Sequence, residues 1–293
     1  MGKMPHHPVR IMTAPEMAEW LERNLHQVIT VSQLAEHAGC SSRHLRTIFR
    51  HAFGISIRTY IQKRRLTLAS LMLRETRRSL TEVAMMYQFS HLSSFSRAFK
   101  KQFRLSPRKY QQATCWDMRL FYPSAIVSGF SSHIDIVRIP GNTGIVPVSN
   151  KKKEIHFDFD FVLSTKNGRI VSGQHFYEEI ISIIFRQNWR YPLTVCGETS
   201  PGKKCDTHID MYLGQFIPDV TLQQCFIIPP GDYACFSFSG SPLNIMRFHA
   251  WVKGHGMFEA GLIMKKGITF SVFDHTALSG IFKSEYYIPC YIP

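Results

Sequence analysis

The chain has 293 residues, 44% of them apolar, and a formal net charge of +14. A chain of this length and composition holds one to three globular domains, and it has no apolar run of the eighteen or so residues that a membrane span needs. Its seven cysteines are odd in number and form no CxxC pair, and its fourteen histidines show no HExxH spacing. Disulfide frameworks, zinc sites and cofactors are therefore not expected, and a reducing cytoplasm is the simplest setting.

Residues 1–14 read as a flexible arm with no stretch apolar enough for a signal peptide. Residues 15–26 read as a helix that starts at Pro15 and turns Met17, Trp20, Leu21 and Leu25 inward. The next stretch, residues 30–53, reads as helix, tight turn, helix. Leu34, Ala35 and Ala38 share one face, Gly39 makes the turn, and Leu45, Ile48, Phe49 and Phe53 face a core. On the outside of the second helix, Arg43, Arg46, Thr47 and Arg50 stand at i, i+3, i+4 and i+7, which makes one basic, hydrogen-bonding stripe. Such a stripe suits the major groove of DNA, although a solvated helical hairpin would show the same pattern.

A second copy follows at residues 80–103. Val83 and Ala84 match Leu34 and Ala35, and Phe95, Ala98, Phe99 and Phe103 match the earlier core set. Its outer stripe is Ser93, Ser96, Arg97 and Lys100, at the same spacing. Gln88 stands where Gly39 did, so this turn must be made by a residue other than glycine. Between the copies, residues 57–73 read as one helix with Leu66, Ala69 and Leu73 inward and Lys63, Arg64, Arg65 and Arg74 available to solvent or phosphate. Seventeen helical residues span about 26 Å, so two recognition helices could reach successive groove turns about 34 Å apart. Residues 104–112 close the helical part, and 113–125 read as a linker with a first strand nearby.

The charge is segregated. Residues 1–115 hold 19 Lys and Arg against 6 Asp and Glu, a balance of +13; residues 116–293 hold 16 against 15, a balance of +1. A field confined to the helical part is an electrostatic footprint for a polyanion, whereas basic surface serving only solubility has no reason to be so confined.

The two motifs, the joining helix and the segment FKKQFRLSPRKY resemble the AraC/XylS transcription regulators over residues 15–113, and with a second domain after them the chain is most similar to the Rob type. The resemblance implies a bacterial cytoplasmic, nucleoid-associated regulator, more often an activator, that contacts double-stranded DNA and RNA polymerase. It implies base contacts from Arg43, Arg46 and Thr47, and matches Leu92, Ser93, Ser96 and Arg97 in the second helix. Leu92 and Ser93 stand where close relatives carry amide side chains, a departure that speaks against base reading by that helix. Two motifs in one chain make a monomer on an asymmetric site plausible.

After residue 114 the texture changes to alternating aromatic and β-branched runs. Residues 155–165, 194–197, 208–216, 231–239, 268–273 and 285–292 read as strands, and 173–189 and 242–251 as helices. The order strand, helix, strand, strand occurs twice and predicts two curved sheets with helices packed on them. The fold class is therefore multi-domain, an all-α double helix-turn-helix domain (motifs at 31–52 and 80–103) followed by an α+β domain at 120–293 with a duplicated β-α-β-β unit. The duplication, the segment GDYACFSFSG and the terminal SEYYIPCYIP resemble the GyrI-like effector-binding domain. That resemblance implies a small cationic or amphipathic effector held between the halves by aromatic rings and a glutamate. The candidates are Glu285 with Tyr286 and Tyr287, and Glu198. A glutamate among rings holds a cation by charge and cation–π attraction, while on a plain terminal strand Glu285 would only face water.

No nucleotide or acyl-transfer motif is present, so an enzyme is not expected. Some AraC-type domains are fused to alkylated-DNA repair domains with a cysteine nucleophile. Here Pro289-Cys290 is followed by Tyr291-Ile292, which places no histidine to form a thiolate. A non-DNA, ligand-sequestering protein would leave the segregated charge unexplained.

Overall fold

The computed structural model describes residues 11–125, 130, 133–147, 153–157, 192–201, 207–218, 225–241, 244–274 and 282–293. The helical part comprises α1 (Ala14–Asn24), α2 (Val31–His37), α3 (Ser42–Phe53), α4 (Ile57–Glu75), α5 (Leu80–Met86), α6 (Leu92–Phe103) and α7 (Pro107–Gln111). Six of these helices start at a Ser or Thr whose hydroxyl accepts a backbone N–H three residues on: Thr13, Thr30, Ser41, Ser56, Ser79 and Ser106. Each such cap satisfies one of the donors that a helix start leaves open. The exception is α6, whose cap residue His91 makes no side-chain bond.

The two helix-turn-helix copies share their backbone as well as their pattern. The inter-helix turns use left-handed residues, Gly39 at φ 68° and Gln88 at φ 63°. The second helices end on left-handed residues too, Gly54 at φ 69° and Arg104 at φ 63°. The first copy places glycine at both points. The second accepts side chains there, at about 1 kcal/mol each.

The copies differ in what lies beneath them. The first encloses its own core of Met17, Leu21, Leu34, Leu45, Phe49, Ile57 and Tyr60. The second shares a core with the sheet: one buried cluster runs from Leu66, Val83, Phe95, Phe99 and Tyr110 through Trp116 and Met118 to Phe236, Phe248, Met257 and Met264.

Three of the four cations read as solvent-facing on the joining helix are structural. Arg64 is buried, with Nε 2.7 Å from Glu22 Oε1, Nη2 2.8 Å from Oε2 and Nη1 2.6 Å from the Tyr122 carbonyl. Arg65 donates to the carbonyls of Leu25 and Gln27, at 2.8 and 2.6 Å. Arg74, only 4% exposed, pairs with Glu75 at 2.7 Å. Lys63 is exposed and sits 5.0 Å above the Tyr122 ring.

The segment read as a linker is a strap. Its backbone N–H groups at Tyr122 and Ala125 donate to Thr67 Oγ1 (3.0 Å) and the Tyr60 hydroxyl (3.1 Å), and its Trp116 indole donates to the Tyr110 carbonyl (3.2 Å). At its start, β1 (Cys115–Asp117) pairs antiparallel with β9 (Ile263–Lys265), so the strap is also a strand of the sheet.

The remaining elements are β2 (Ile134–Ile139), β3 (Gly144–Pro147), β4 (Lys153–Phe157), β5 (Leu193–Pro201), β6 (Thr207–Ile217), β7 (Phe226–Ile227), β8 (Gly231–Gly240), α8 (Ile245–Trp251), β10 (Thr269–Asp274) and β11 (Phe282–Tyr291). The chain from β4 to β5, where the helix at 173–189 and most of the strand at 155–165 were expected, lies outside the described residues. The expected pair of sheets is instead one continuous sheet. Its pairing repeats: β4 pairs β6 and β6 pairs β5, as β8 pairs β11 and β11 pairs β10. The halves join where β5 pairs β10, Cys196 opposite Phe270. Antiparallel pairing at that seam lets both halves share one ladder. Short strands extend this ladder: β9 joins β11 to β1 at one end, β3 joins β6 to β7 at the other, and β2 pairs β8. On one face α8 packs Phe248 and Trp251 against Phe236 and Phe238; the other carries Ile145, Tyr233, Phe270 and Tyr287.

Candidate nucleic-acid interface and effector face

The α3 stripe is exposed as its spacing required: Arg43, Arg46, Thr47 and Arg50 all face outward, while Leu45 and Phe49 are fully buried behind them. Thr47 Oγ1 donates back to the Arg43 carbonyl at 3.2 Å, which fixes its hydroxyl. On α6, Ser93, Arg97 and Lys100 are exposed, Ser96 is half-buried, and Leu92 adds an apolar residue at 40% exposure. The first stripe therefore carries three guanidinium groups and the second one guanidinium and one ammonium. Guanidinium forks match the paired acceptors of guanine and of phosphate, whereas an ammonium acts as a point charge.

The stripes are held by α4, whose 19 residues span about 28 Å. A direct tie runs from the turn of the second copy to the segment between α1 and α2: Gln88 Nε2 donates to the His26 carbonyl at 2.8 Å. This bond gives the left-handed Gln88 a use that glycine could not supply.

A family model described as a helix-turn-helix domain matches residues 34–113, the span of both copies. The chain is similar to Rob of Salmonella typhimurium (strain LT2), a transcriptional regulator, with 38% identity over 97 residues, 33% of this chain and 34% of that protein. It is similar to AarP of Providencia stuartii, an HTH-type transcriptional activator, with 32% identity over 96 residues, 33% of this chain and 71% of that protein. The chain belongs to the AraC/XylS family of transcription regulators. Similarity to YkgA of Escherichia coli (strain K12), at 34% identity over 119 residues, covers 41% of this chain and 50% of that protein. This AraC/XylS regulator thus spans about half of YkgA and about a third of Rob, and the sheet lies beyond residues 34–113 that the family model matches.

On the sheet, Glu285 is exposed and the Tyr287 hydroxyl donates to its Oε2 at 2.5 Å. Tyr287 in turn stacks on Phe270, centroids 4.4 Å apart and rings 8° from parallel. Burial, with the bond to Glu285, pushes the Tyr287 phenol far above its ordinary value. Cys235 lies beside it, its thiol pushed up to about 11 by burial.

Tyr286 is set apart from that group. Strand alternation turns it to the opposite face, where it is buried and stacks on His249 at 4.2 Å. Glu198 is set apart by register. Glu285 lies opposite Val272 and Val272 opposite Thr194, so Glu198 is four residues, about 13 Å, further along β5. Its side chain lies outside the described residues.

Cys290 is fully buried and its thiol is pushed up to about 11, chiefly by burial, which keeps it protonated at neutral pH. Among the described residues no cluster of His, Cys, Asp and Glu could hold a metal, and no helix is long and apolar enough to cross a membrane.

Proposed function

We propose that the protein is an activator that binds duplex promoter DNA as a monomer, laying α3 and α6 into successive major-groove turns. The carrying observation is the pair of exposed stripes at identical spacing, mounted on two copies of one backbone motif and held by a single helix. Arg43, Arg46 and Thr47 read bases, and Arg50 and Lys100 meet phosphate. Ser93, Ser96 and Arg97 make the second set of contacts beside the apolar Leu92. The division of labour places DNA binding in residues 15–113, with 1–14 as an arm, and effector binding in 120–293. The activator assignment draws support from AarP, and contact with RNA polymerase follows from it.

For the sheet we infer a GyrI-like unit that holds a cationic or amphipathic effector at Glu285 and Tyr287. The repeated pairing of its two halves supports this reading. Tyr286, on the other face, serves packing.

Arg46→Ala tests the base-reading role. A lost bidentate guanine contact costs about 1–3 kcal/mol on a preferred site and relaxes one base position. Lys100→Ala weakens binding to every sequence alike and lowers the salt slope by about one. Equal loss on specific and random DNA from Arg46→Ala would refute the assignment.

A further inference from the structure

Where the end of α4 meets the β9–β10 turn lies a cavity of about 320 Å³, within the range of small-molecule sites. Five cationic residues are among its lining, Arg74, Arg77, Lys253, Lys265 and Lys266, against one carboxylate, Glu75, but the Lys265 ammonium sits 4.5 Å over the Tyr291 ring. With Arg74 paired to Glu75 and Lys265 over Tyr291, Arg77, Lys253 and Lys266 set the charge of the cavity. They converge from three places: the end of α4, the turn after α8, and β9 with the loop behind it. The Trp116 ring and Met264 form an apolar wall.

Glu75 does not neutralise this field. Its carboxylate is taken by Arg74, which also lies 5.1 Å over the Trp116 ring and 3.3 Å from Met264 Sδ. Burial alone would raise the Glu75 pKa, yet Arg74 and Lys253 hold it below the ordinary value. Like charges gathered beside low-dielectric walls repel one another and raise the local concentration of anions.

We infer that this cleft binds a small organic anion, a carboxylate or phosphate with an apolar body, which clamps the second helix-turn-helix motif to the sheet. The head group sits among Arg77, Lys253 and Lys266, and the body lies along Trp116 and Met264. Such an anion touches both parts at once. It therefore favours one arrangement of the second motif, whose core already continues into the sheet, over any other. The site lies apart from Glu285, and its preferred charge is opposite, so each reading stands or falls separately.

Calorimetry on the full chain with phenyl phosphate, benzoate and benzylammonium tests this. Both anions should bind, and Arg77→Ala with Lys266→Ala, at two exposed positions, should weaken them at least tenfold. Glu285→Gln should leave both unchanged, and saturating duplex DNA should not displace them. The inference is overturned if neither anion binds, if the double variant binds them as the parent does, or if benzylammonium binds as tightly. Displacement by DNA would overturn it too, because the cleft would then belong to the phosphate path.

Discussion

Arg64 grips both carboxylate oxygens of Glu22, with Nε at 2.7 Å and Nη2 at 2.8 Å, beneath the first helix-turn-helix copy. The pair ties α4 to α1 across 42 residues and is nearly out of water, at 8% and 12% side-chain exposure. The Tyr60 hydroxyl also donates to this carboxylate, at 2.7 Å. Arg64→Ala strands a buried carboxylate and should cost about 3–5 kcal/mol, read by denaturant unfolding. Arg64→Met with Glu22→Leu should recover most of that loss. A cost below about 1 kcal/mol for the single variant would show that water reaches the pair.

The strap sets where the helical part ends. A fragment stopping at residue 115 loses Trp116, Met118 and Phe121 from its core, together with the Tyr122 carbonyl that accepts from Arg64. A fragment stopping at residue 125 keeps them. The longer fragment should melt well above the shorter and bind duplex DNA more tightly, while residues 126–293 alone should show no affinity at moderate salt. Equal melting of the two fragments would deny the strap its role.

His249 makes stability depend on pH. Burial, then the nearby Lys253, holds its pKa down at about 3 against an ordinary 6.5, so the folded state keeps it neutral. The unfolded chain binds this proton first as pH falls. The stabilisation is therefore complete above pH 6.5 and is lost progressively toward pH 3, at no more than about 1.4 kcal/mol per pH unit. His249→Gln should flatten the fall in unfolding midpoint between pH 7 and 5. An unchanged slope would mean that other groups carry it.

Gly214 marks a close approach within the sheet. A Cβ there would lie 2.3 Å from the Val146 carbonyl oxygen, a backbone atom that cannot swing away. Gly214→Ala should force β3 off β6 and cost about 1–3 kcal/mol. Faster amide exchange should then appear at residues 214–217 but not in α1–α3.

Glu285→Gln keeps the shape of the exposed site and removes its charge. Affinity for tetraphenylphosphonium should fall by up to about 1 kcal/mol, roughly fivefold, with the melting point unchanged. Unchanged affinity would remove Glu285 from effector binding.

The sequence by itself determined the helical part: two motifs, their turn positions, the inward faces and the outward stripes. Helical spacing, Ser and Thr caps and a left-handed turn are local features, and the chain carries them within a few residues. It also determined most of the strands, since alternation marks a half-buried ladder. Tertiary structure alone decided the rest. Arg64 looks like any helix cation until Glu22, 42 residues away, is placed beside it. The strap looks like a linker because its bonds run to Thr67 and Tyr60 on another element. Strands as short as β1 and β9 show too few residues for a period, and only the partner strand defines them. The cationic cleft is invisible in order along the chain, because Arg77, Lys253 and Lys266 meet only once the helical part and the sheet share a core. Burial and long-range pairing depend on which elements meet, and that is decided by packing rather than by pattern.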